Sequence, residues 1–373
     1  MSFNDLDLYN KHLNSRIFKS LKQTINKNDF IFGKSVDELE ASLCRFTGSK
    51  YSITVGSGTD ALLLSLMSLN LKKGDEIIIP SFSWLSVLEV VLFLNLKPIF
   101  VDTDYNTFNF NINNLDKLIS KKTKVIISTS LFGRSIDLKK IKKICEKNKL
   151  LLIEDAAQNF GSYIDTLNSC NIADISCTSF FPSKNLGCYG DGGAIFTNKK
   201  KINDKLKKLR NHGQRKYNDS KLIGINSRLG TLQATILNEK LKDFKNKKKK
   251  QKKIYKSYVN FFKKNNIVGF PKYRAESKKY DDMNSNFSIL VRNRRSLIKF
   301  FNKFKIKYKI YYPKPLYKQF NIKKQIYLKN TELICKKIIS LPFNELSEKR
   351  FKNVLNKLQI IISKEKGIFF EKK

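Results

Sequence analysis

Lys184 lies within Ser179-Phe-Phe-Pro-Ser-Lys-Asn-Leu-Gly187 and is followed by Gly190-Asp-Gly-Gly193. An apolar segment on one side and a glycine-rich return on the other are odd surroundings for a surface charge. Upstream, the apolar run Leu151-Leu-Ile-Glu-Asp155 ends in two acids and continues as Ala-Ala-Gln158. In a parallel sheet, ligands bind outside the carboxyl ends of the strands, and Asp155 is expected there. A lysine amine can form an imine with an aldehyde, and a nearby carboxylate can keep a ring nitrogen protonated. That is the pair pyridoxal 5'-phosphate (PLP) needs. Such a lysine must shed its proton, and desolvation in an enclosed site favours the neutral form of a group with a free pKa of ~10.4. The competing readings are a surface lysine in a basic chain and an Asp155 that merely caps a helix.

Two further segments can join that chemistry. Gly56-Ser-Gly-Thr-Asp-Ala61 falls between an expected strand and an expected helix. Glycines let backbone N–H groups approach an anion, and a helix N-terminus adds partial positive charge. The bland alternative is a tight turn in which Ser57 or Thr59 caps the helix. Trp84 is the only tryptophan; just past a strand end, it can stack on a flat heteroaromatic ring, or it can be a core residue.

Several function classes are excluded by composition. The chain of 373 residues is 41% hydrophobic, enough for one large domain and a smaller one. Only His12 and His212 are present, so a histidine-rich metal centre is ruled out, and the six cysteines show no CxxC pair, so no metal site is expected. The cysteines read as small core residues. No basic-then-apolar leader is visible at the N-terminus, and the longest apolar run, 84–96, carries Glu89 and is too short to span a bilayer. A cytoplasmic protein without a membrane span is expected. The net charge of +41 invites a nucleic-acid reading, but the lysines are spread along the whole chain. The dense run 245–256 has few aromatics and reads as a solvated helix face. No nucleic-acid partner is expected.

Positioning these residues requires a strand–helix alternation. Residues 1–50 read as helical, and strands are expected over 51–55, 76–80, 98–102, 124–129, 150–155, 175–181 and 193–197. Helices are expected over 60–69, 84–96 and 137–148. Val/Ile/Leu-rich strands between helices argue for an α/β fold with a mostly parallel sheet covered on both faces. A long helix is expected from about residue 228 through 241 into the lysine run. Beyond it, strands near 287–291 and 307–312 alternate with helices near 295–304 and 348–363. This predicts an N-terminal segment and large cofactor-binding domain over 1–240, then a linking helix and small α/β domain over 241–373.

From about residue 30 to 318, these segments in this order resemble the sugar-nucleotide aminotransferases of the DegT/DnrJ/EryC1/StrS family, PLP enzymes of fold type I. The resemblance is carried by Gly56-Ser-Gly-Thr-Asp-Ala-Leu62, Gly74-Asp-Glu-Ile77, Glu154-Asp-Ala-Ala-Gln158, the Ser179–Gly187 segment, Asn211-His-Gly213, Asn226-Ser-Arg-Leu229 and Gln233-Ala234. It implies that Lys184 holds the cofactor and then moves protons, with Asp155 at the pyridine nitrogen and Gln158 at the ring hydroxyl. It implies a phosphate held by Gly58, Thr59 and Ser179, and Trp84 over the ring face. Asn226 would reach the phosphate from the neighbouring subunit of a homodimer with shared active sites, and Arg228 of that neighbour would face the sugar nucleotide.

Cys177-Thr-Ser-Phe-Phe-Pro-Ser-Lys184, the stretch Gly187-Cys-Tyr-Gly-Asp-Gly-Gly-Ala194 and Ser130-Leu-Phe-Gly133 look like a narrower group. Its members act on UDP-2-acetamido-2-deoxy-3-oxo-glucuronate, with glutamate as amino donor, for bacterial surface polysaccharide. Ser130, where many family members carry His, agrees with that group. Arg134 stands where Gln is usual, and Tyr311-Tyr312-Pro313 replaces His-Tyr-Pro; both tyrosines are expected at the substrate. Lys184 itself argues against the related sugar 3-dehydratases, which carry histidine there. The expected activity is therefore transfer of an amino group from glutamate to a nucleotide-linked keto sugar. The runner-up is a 3- or 4-keto deoxysugar of UDP or dTDP, and a non-catalytic polyanion-binding protein is the reading from another class.

Overall fold

The computed structural model describes residues 11–216, 219–271, 274, 279–320, 322, 327–343 and 347–372. The first ten residues of the expected helical N-terminal stretch lie outside them. A seven-stranded sheet organises the larger part of the molecule. Its strands are β1 (Tyr51–Val55), β2 (Glu76–Pro80), β3 (Lys97–Val101), β4 (Thr123–Thr129), β5 (Leu151–Asp155), β6 (Ile175–Ser179) and β7 (Gly193–Thr197). Their spatial order is β1-β7-β6-β5-β4-β2-β3. Only β7 runs against the rest, antiparallel to both β1 and β6, while β6, β5, β4, β2 and β3 pair in parallel.

The inner strands are buried almost end to end because both faces are covered. Every residue of β2 and of β7 is buried. On one face the helices Gly58–Ser68, Ser86–Phe93 and Lys200–Leu209 complete a core with Ile53, Ile77, Ile127 and Ile195. On the other, Leu138–Lys147 packs Ile141 and Cys145 against Ile126 and Leu152. The expected helix over 84–96 is shorter than its apolar pattern, because Leu94 caps the helix with an N–H bond to Val90 and β3 begins at Lys97.

The long helix expected from residue 228 begins at Thr231 and is two helices, Thr231–Lys242 and Phe244–Lys264, which meet at Asp243. Its lysines are not all solvated. Lys247 is buried, and Lys248 bonds the Gly161 carbonyl and the Asp281 carboxylate. The second helix builds a separate core with Phe287–Leu290, Ile338–Leu341, Arg294–Lys303 and Glu348–Glu365. Tyr258, Phe262 and Phe287 stack at its centre, with centroids 4.7 and 5.8 Å apart.

The strand expected over 307–312 does not form. Lys309 makes a single antiparallel bridge to Ser340, and the chain then turns back to bury Leu316 and Tyr317 in the large sheet's core. Ile338–Leu341, which no expected strand covered, pairs with Phe287–Leu290.

Candidate active site

Sheet register brings the candidate residues to one end. Thr129 stands beside Asp155 across β4 and β5, and Ser179 faces Gly193, which in turn faces Val55. The loops leaving these strand ends line a cleft of about 490 Å³. Gly58, Thr59, Trp84, Asp155, Gln158, Ser179, Lys184, Tyr311 and Tyr312 all line it. Asn226 and Arg228 do not. They sit on the loop before Thr231–Lys242, where Arg228 Nε donates to Asn226 Oδ1 at 2.8 Å and Nη1 to Asn211 Oδ1 at 3.3 Å.

Asp155 ends β5 and is 7% exposed. Its Oδ1 accepts from the Ala157 N–H at 3.0 Å, but a turn and not a helix follows, so Asp155 caps no helix, and its carboxyl lines the cleft. Burial raises its proton affinity; the Ala157 N–H, Lys184 and the Thr129 hydroxyl oppose that. Lys184 answers from the far side of β6. Desolvation lowers its pKa from the ordinary lysine value, and the Asp155 charge partly restores it. A buried carboxyl and an amine whose proton is held less tightly than an ordinary lysine's therefore face one cavity, and that shift is in the direction imine chemistry asks for.

The lysine loop is held by side chains that pattern reading left out. Lys184 N–H donates to the Phe181 carbonyl, Asn185 Nδ2 to the Gln158 carbonyl at 3.0 Å, and Lys240 Nζ to the Gly187 carbonyl at 2.8 Å. Gln158 is fixed at both ends of its amide. Its Oε1 accepts from Phe132 N–H, and its Nε2 donates to the Tyr312 hydroxyl at 2.9 Å. Trp84 is 56% exposed at the cleft and 6.3 Å from the Tyr312 ring, so it is no core residue. Burial pushes the Cys188 thiol up to about 11 and those of Cys145 and Cys335 to about 12, so these cysteines stay protonated at neutral pH.

The residues fit PLP at its phosphate end as well. Ser57 caps Gly58–Ser68 by accepting from Asp60 N–H, which leaves the Gly58 and Thr59 amides at the helix end. A Cβ on Gly58 would stand 2.7 Å from Ser179 Cβ, and one on Gly193 would stand 2.4 Å from the Ser57 carbonyl oxygen. Glycine at both positions lets the helix end close on β6 and β7. Thr59 and Ser86 hydroxyls, 2.7 Å apart, and Ser179 complete a ring of donors suited to a dianion. Ser57, Ser86, Ser183, Asn185, Asp191, Ser285, Asn286 and Lys309 also line the cleft and were missed in the sequence. The last three come from distant chain, and no local motif marks them.

The comparisons with known proteins agree with this geometry. UDP-2-acetamido-2-deoxy-3-oxo-D-glucuronate aminotransferase of Pseudomonas aeruginosa is 37% identical over 320 residues, 86% of this chain and 88% of the relative. The crystal structure of a DegT/DnrJ/EryC1/StrS aminotransferase from Brucella abortus superposes with a TM-score of 0.92 at 32% identity, covering 97% of this chain and 99% of that one. NtdA from Bacillus subtilis, solved with bound cofactor PMP, gives 0.90 at 26% identity over 97% and 85% of the two chains. No helix among the described residues is long and apolar enough to cross a membrane. Residues 11–359 match the DegT/DnrJ/EryC1/StrS aminotransferase family, and the chain belongs to that family as a PLP-dependent aminotransferase.

Proposed function

We propose that this aminotransferase moves the amino group of glutamate to the 3-keto carbon of UDP-2-acetamido-2-deoxy-3-oxo-glucuronate, in the cytoplasm, for surface polysaccharide. The observation that carries the reading is the convergence of Lys184, Asp155, Gln158, Ser179 and the Gly58–Thr59 helix end on one cleft. The sugar is argued from the Pseudomonas aeruginosa relative and from Ser130.

PLP supplies an electron sink that stabilises negative charge on the carbon losing its proton. The chain's residues do the rest. Asp155 would hold a proton at the pyridine nitrogen. Lys184 would bind the cofactor through its amine and, as a base, would carry the proton that the donor carbon gives up. Gln158, locked by Phe132 and Tyr312, would contact the ring hydroxyl. Gly58, Thr59 and Ser179 would hold the phosphate, and Trp84 would lie at the ring. Tyr311 and Tyr312 line the substrate side, where burial keeps both phenols protonated. Asn226 and Arg228 serve the neighbouring subunit's cleft in a homodimer. The same reading divides the chain near residue 240 into a large cofactor domain and a small C-terminal one.

The test is spectroscopic. Protein mixed with PLP is expected to take on a visible band that glutamate converts and that borohydride fixes to the peptide containing Lys184. Lys184→Ala is expected to bind PLP without borohydride-stable attachment. A wild type that leaves the PLP spectrum unchanged defeats the reading. Amination of 4-keto but not 3-keto sugar nucleotides by the glutamate-treated enzyme overturns the choice of sugar.

A further inference from the structure

The helix Phe244–Lys264 carries ten lysines in 21 residues, with no arginine and no acid. One side of it, with Tyr255, Tyr258, Val259 and Phe262, is buried in the small domain's core. The opposite side exposes Lys245, Lys249, Lys253, Lys256 and Lys263. Their spacings of four, four, three and seven residues put them in one stripe. At 1.5 Å per residue it is about 27 Å long. Of these five, only Lys253 meets a carboxylate among the described residues, that of Glu348 at 2.7 Å, and both partners are exposed. Lys247 and Lys248 turn inward, to the Lys184 carbonyl and to Gly161 and Asp281, and belong to the fold instead.

A uniform lysine bias does not account for the stripe. Residues 241–373 hold 38 of the 73 Lys and Arg but 9 of the 32 Asp and Glu, a net +29 in 133 residues against +12 in the first 240. In that first part, helix lysines sit beside acids: Lys139 by Asp165, Lys142 by Asp174 and Lys200 by Asp204. The basic face also extends past one helix. Glu348–Glu365 lies alongside, tied by the Lys253–Glu348 pair and by Asn265 to Gln359 at 3.2 Å, and exposes Lys349 and Lys352.

We propose that the stripe on Phe244–Lys264 is a docking surface for an anionic lipid bilayer, on which the enzyme lies without inserting. Its chemistry fits a plane of headgroups better than a nucleic acid. The helix has no arginine to fork onto phosphate or guanine. Its rings Tyr255, Tyr258 and Phe262 are buried, so they cannot stack on bases. Lysines on flexible stems match a fluid layer of spread negative charge. No large apolar side chain is exposed on the helix, so the attachment is electrostatic and reversible. Like charges at i and i+4 repel in the free protein, and an anionic plane relieves that repulsion. The stripe is no part of the cleft lining, so the proposal holds whichever sugar is aminated.

Vesicle flotation of the PLP-loaded full chain tests this, with vesicles of phosphatidylcholine alone or in equal mixture with phosphatidylglycerol. One variant combines Lys245→Gln, Lys249→Gln, Lys256→Gln and Lys263→Gln. Its control combines Lys73→Gln, Lys122→Gln, Lys143→Gln and Lys207→Gln, exposed lysines of the large domain, for the same loss of charge. Circular dichroism checks the fold of both. The wild type is expected to float with the anionic vesicles at low salt, to be released by high salt, and to ignore the neutral ones. A lysine near an anionic surface is worth about fivefold in partitioning, so the stripe variant should bind roughly 100-fold weaker or worse. The control should stay within about fivefold of wild type.

Equal losses in the two variants assign the binding to net charge and overturn the docking surface. Equal binding to both kinds of vesicle, or none to the anionic kind at low salt, overturns it too. Tighter, stripe-dependent retention on duplex DNA than on anionic vesicles at the same salt gives the surface to nucleic acid and refutes the lipid.

Discussion

Two neighbouring carboxyls on β5 face opposite sides of the sheet and have opposite fates. Asp155 reaches the cleft, whereas Glu154 is fully buried behind it, with Ser176 Oγ donating to its Oε2 at 3.0 Å. Burial first, then the Asp155 charge, raise the Glu154 pKa to about 8, against the hydrogen bonds of Ser176, Asn159 and Ser169. Glu154 is thus a neutral acid at pH 7, and Asp155 has no ionised neighbour to oppose its own charge. A folded-state pKa above the unfolded one means that the folded protein holds the extra proton. Stability from this group is complete below the unfolded pKa of ~4.3 and is lost as pH rises through about 8. Glu154→Gln is expected to flatten that loss, which is read as the difference in urea midpoint between pH 6 and pH 9, wild type against variant. A variant with the wild-type pH slope would refute the assignment. At Asp155 the charge itself matters. Asp155→Asn keeps an acceptor for Ala157 N–H but cannot hold the ring proton, so kcat should fall roughly 10²- to 10³-fold with PLP still bound. An unchanged kcat would remove Asp155 from the mechanism.

At the scale of elements, the large sheet was legible, and so were the strand near 287–291 and the helices near 295–304 and 348–363, while the strand that completes the C-terminal pairing was not. Strands β1, β2 and β7 fall on their expected bounds, because short segments rich in β-branched and aromatic residues between turn residues or charges have few other ways to be buried. Asp155 is the last residue of β5 as expected, whereas the strand expected to run to 181 ends at Ser179, which puts that residue at the site. Residues 307–312 misled because aromatic and β-branched content marks a half-buried segment without saying which edge it pairs with. Ile338–Leu341, four residues long and preceded by lysines, was invisible as a strand. The wall made by Ser285, Asn286 and Lys309 was unreadable for the same reason, since it exists only once that pairing is in place. The phosphate cradle, by contrast, is an element-level fit that glycine makes possible. Gly58→Ala places a methyl 2.7 Å from Ser179 Cβ, whereas Gly230→Ala, which meets nothing within 4 Å, is the control. The first is expected to weaken PLP binding by tenfold or more, about 1.4 kcal/mol, measured by cofactor titration; the second should leave it unchanged. Equal affinities would show that the helix end does not grip the phosphate.

The whole molecule carries its remaining argument on the surface around Arg228. Asn211 and Asn226 pair in a backbone bridge and hold the guanidinium, which lies outside the cleft of its own chain. Phe30, Ile31 and Phe32 are exposed beside it, at 44%, 53% and 39%, and the Phe32 ring centre is 5.9 Å from the Arg228 carbon. An apolar patch that carries a restrained cation is the form a protein–protein contact takes. In the two-fold dimer proposed above, each patch would meet the other subunit and Arg228 would act on its partner's cleft. That makes inactive variants complementary. Lys184→Ala and Arg228→Ala homodimers each lack one half of every site. A mixed dimer has one site with both defects and one with neither. Equal co-expression yields mixed dimers in half the population, so roughly a quarter of wild-type sites should reappear. Recovery of that fraction in the purified mixture places Arg228 across the interface. No recovery, with mixed dimers shown to form by differential tags, places it in its own subunit's site, whereas an active Arg228→Ala homodimer places it outside catalysis.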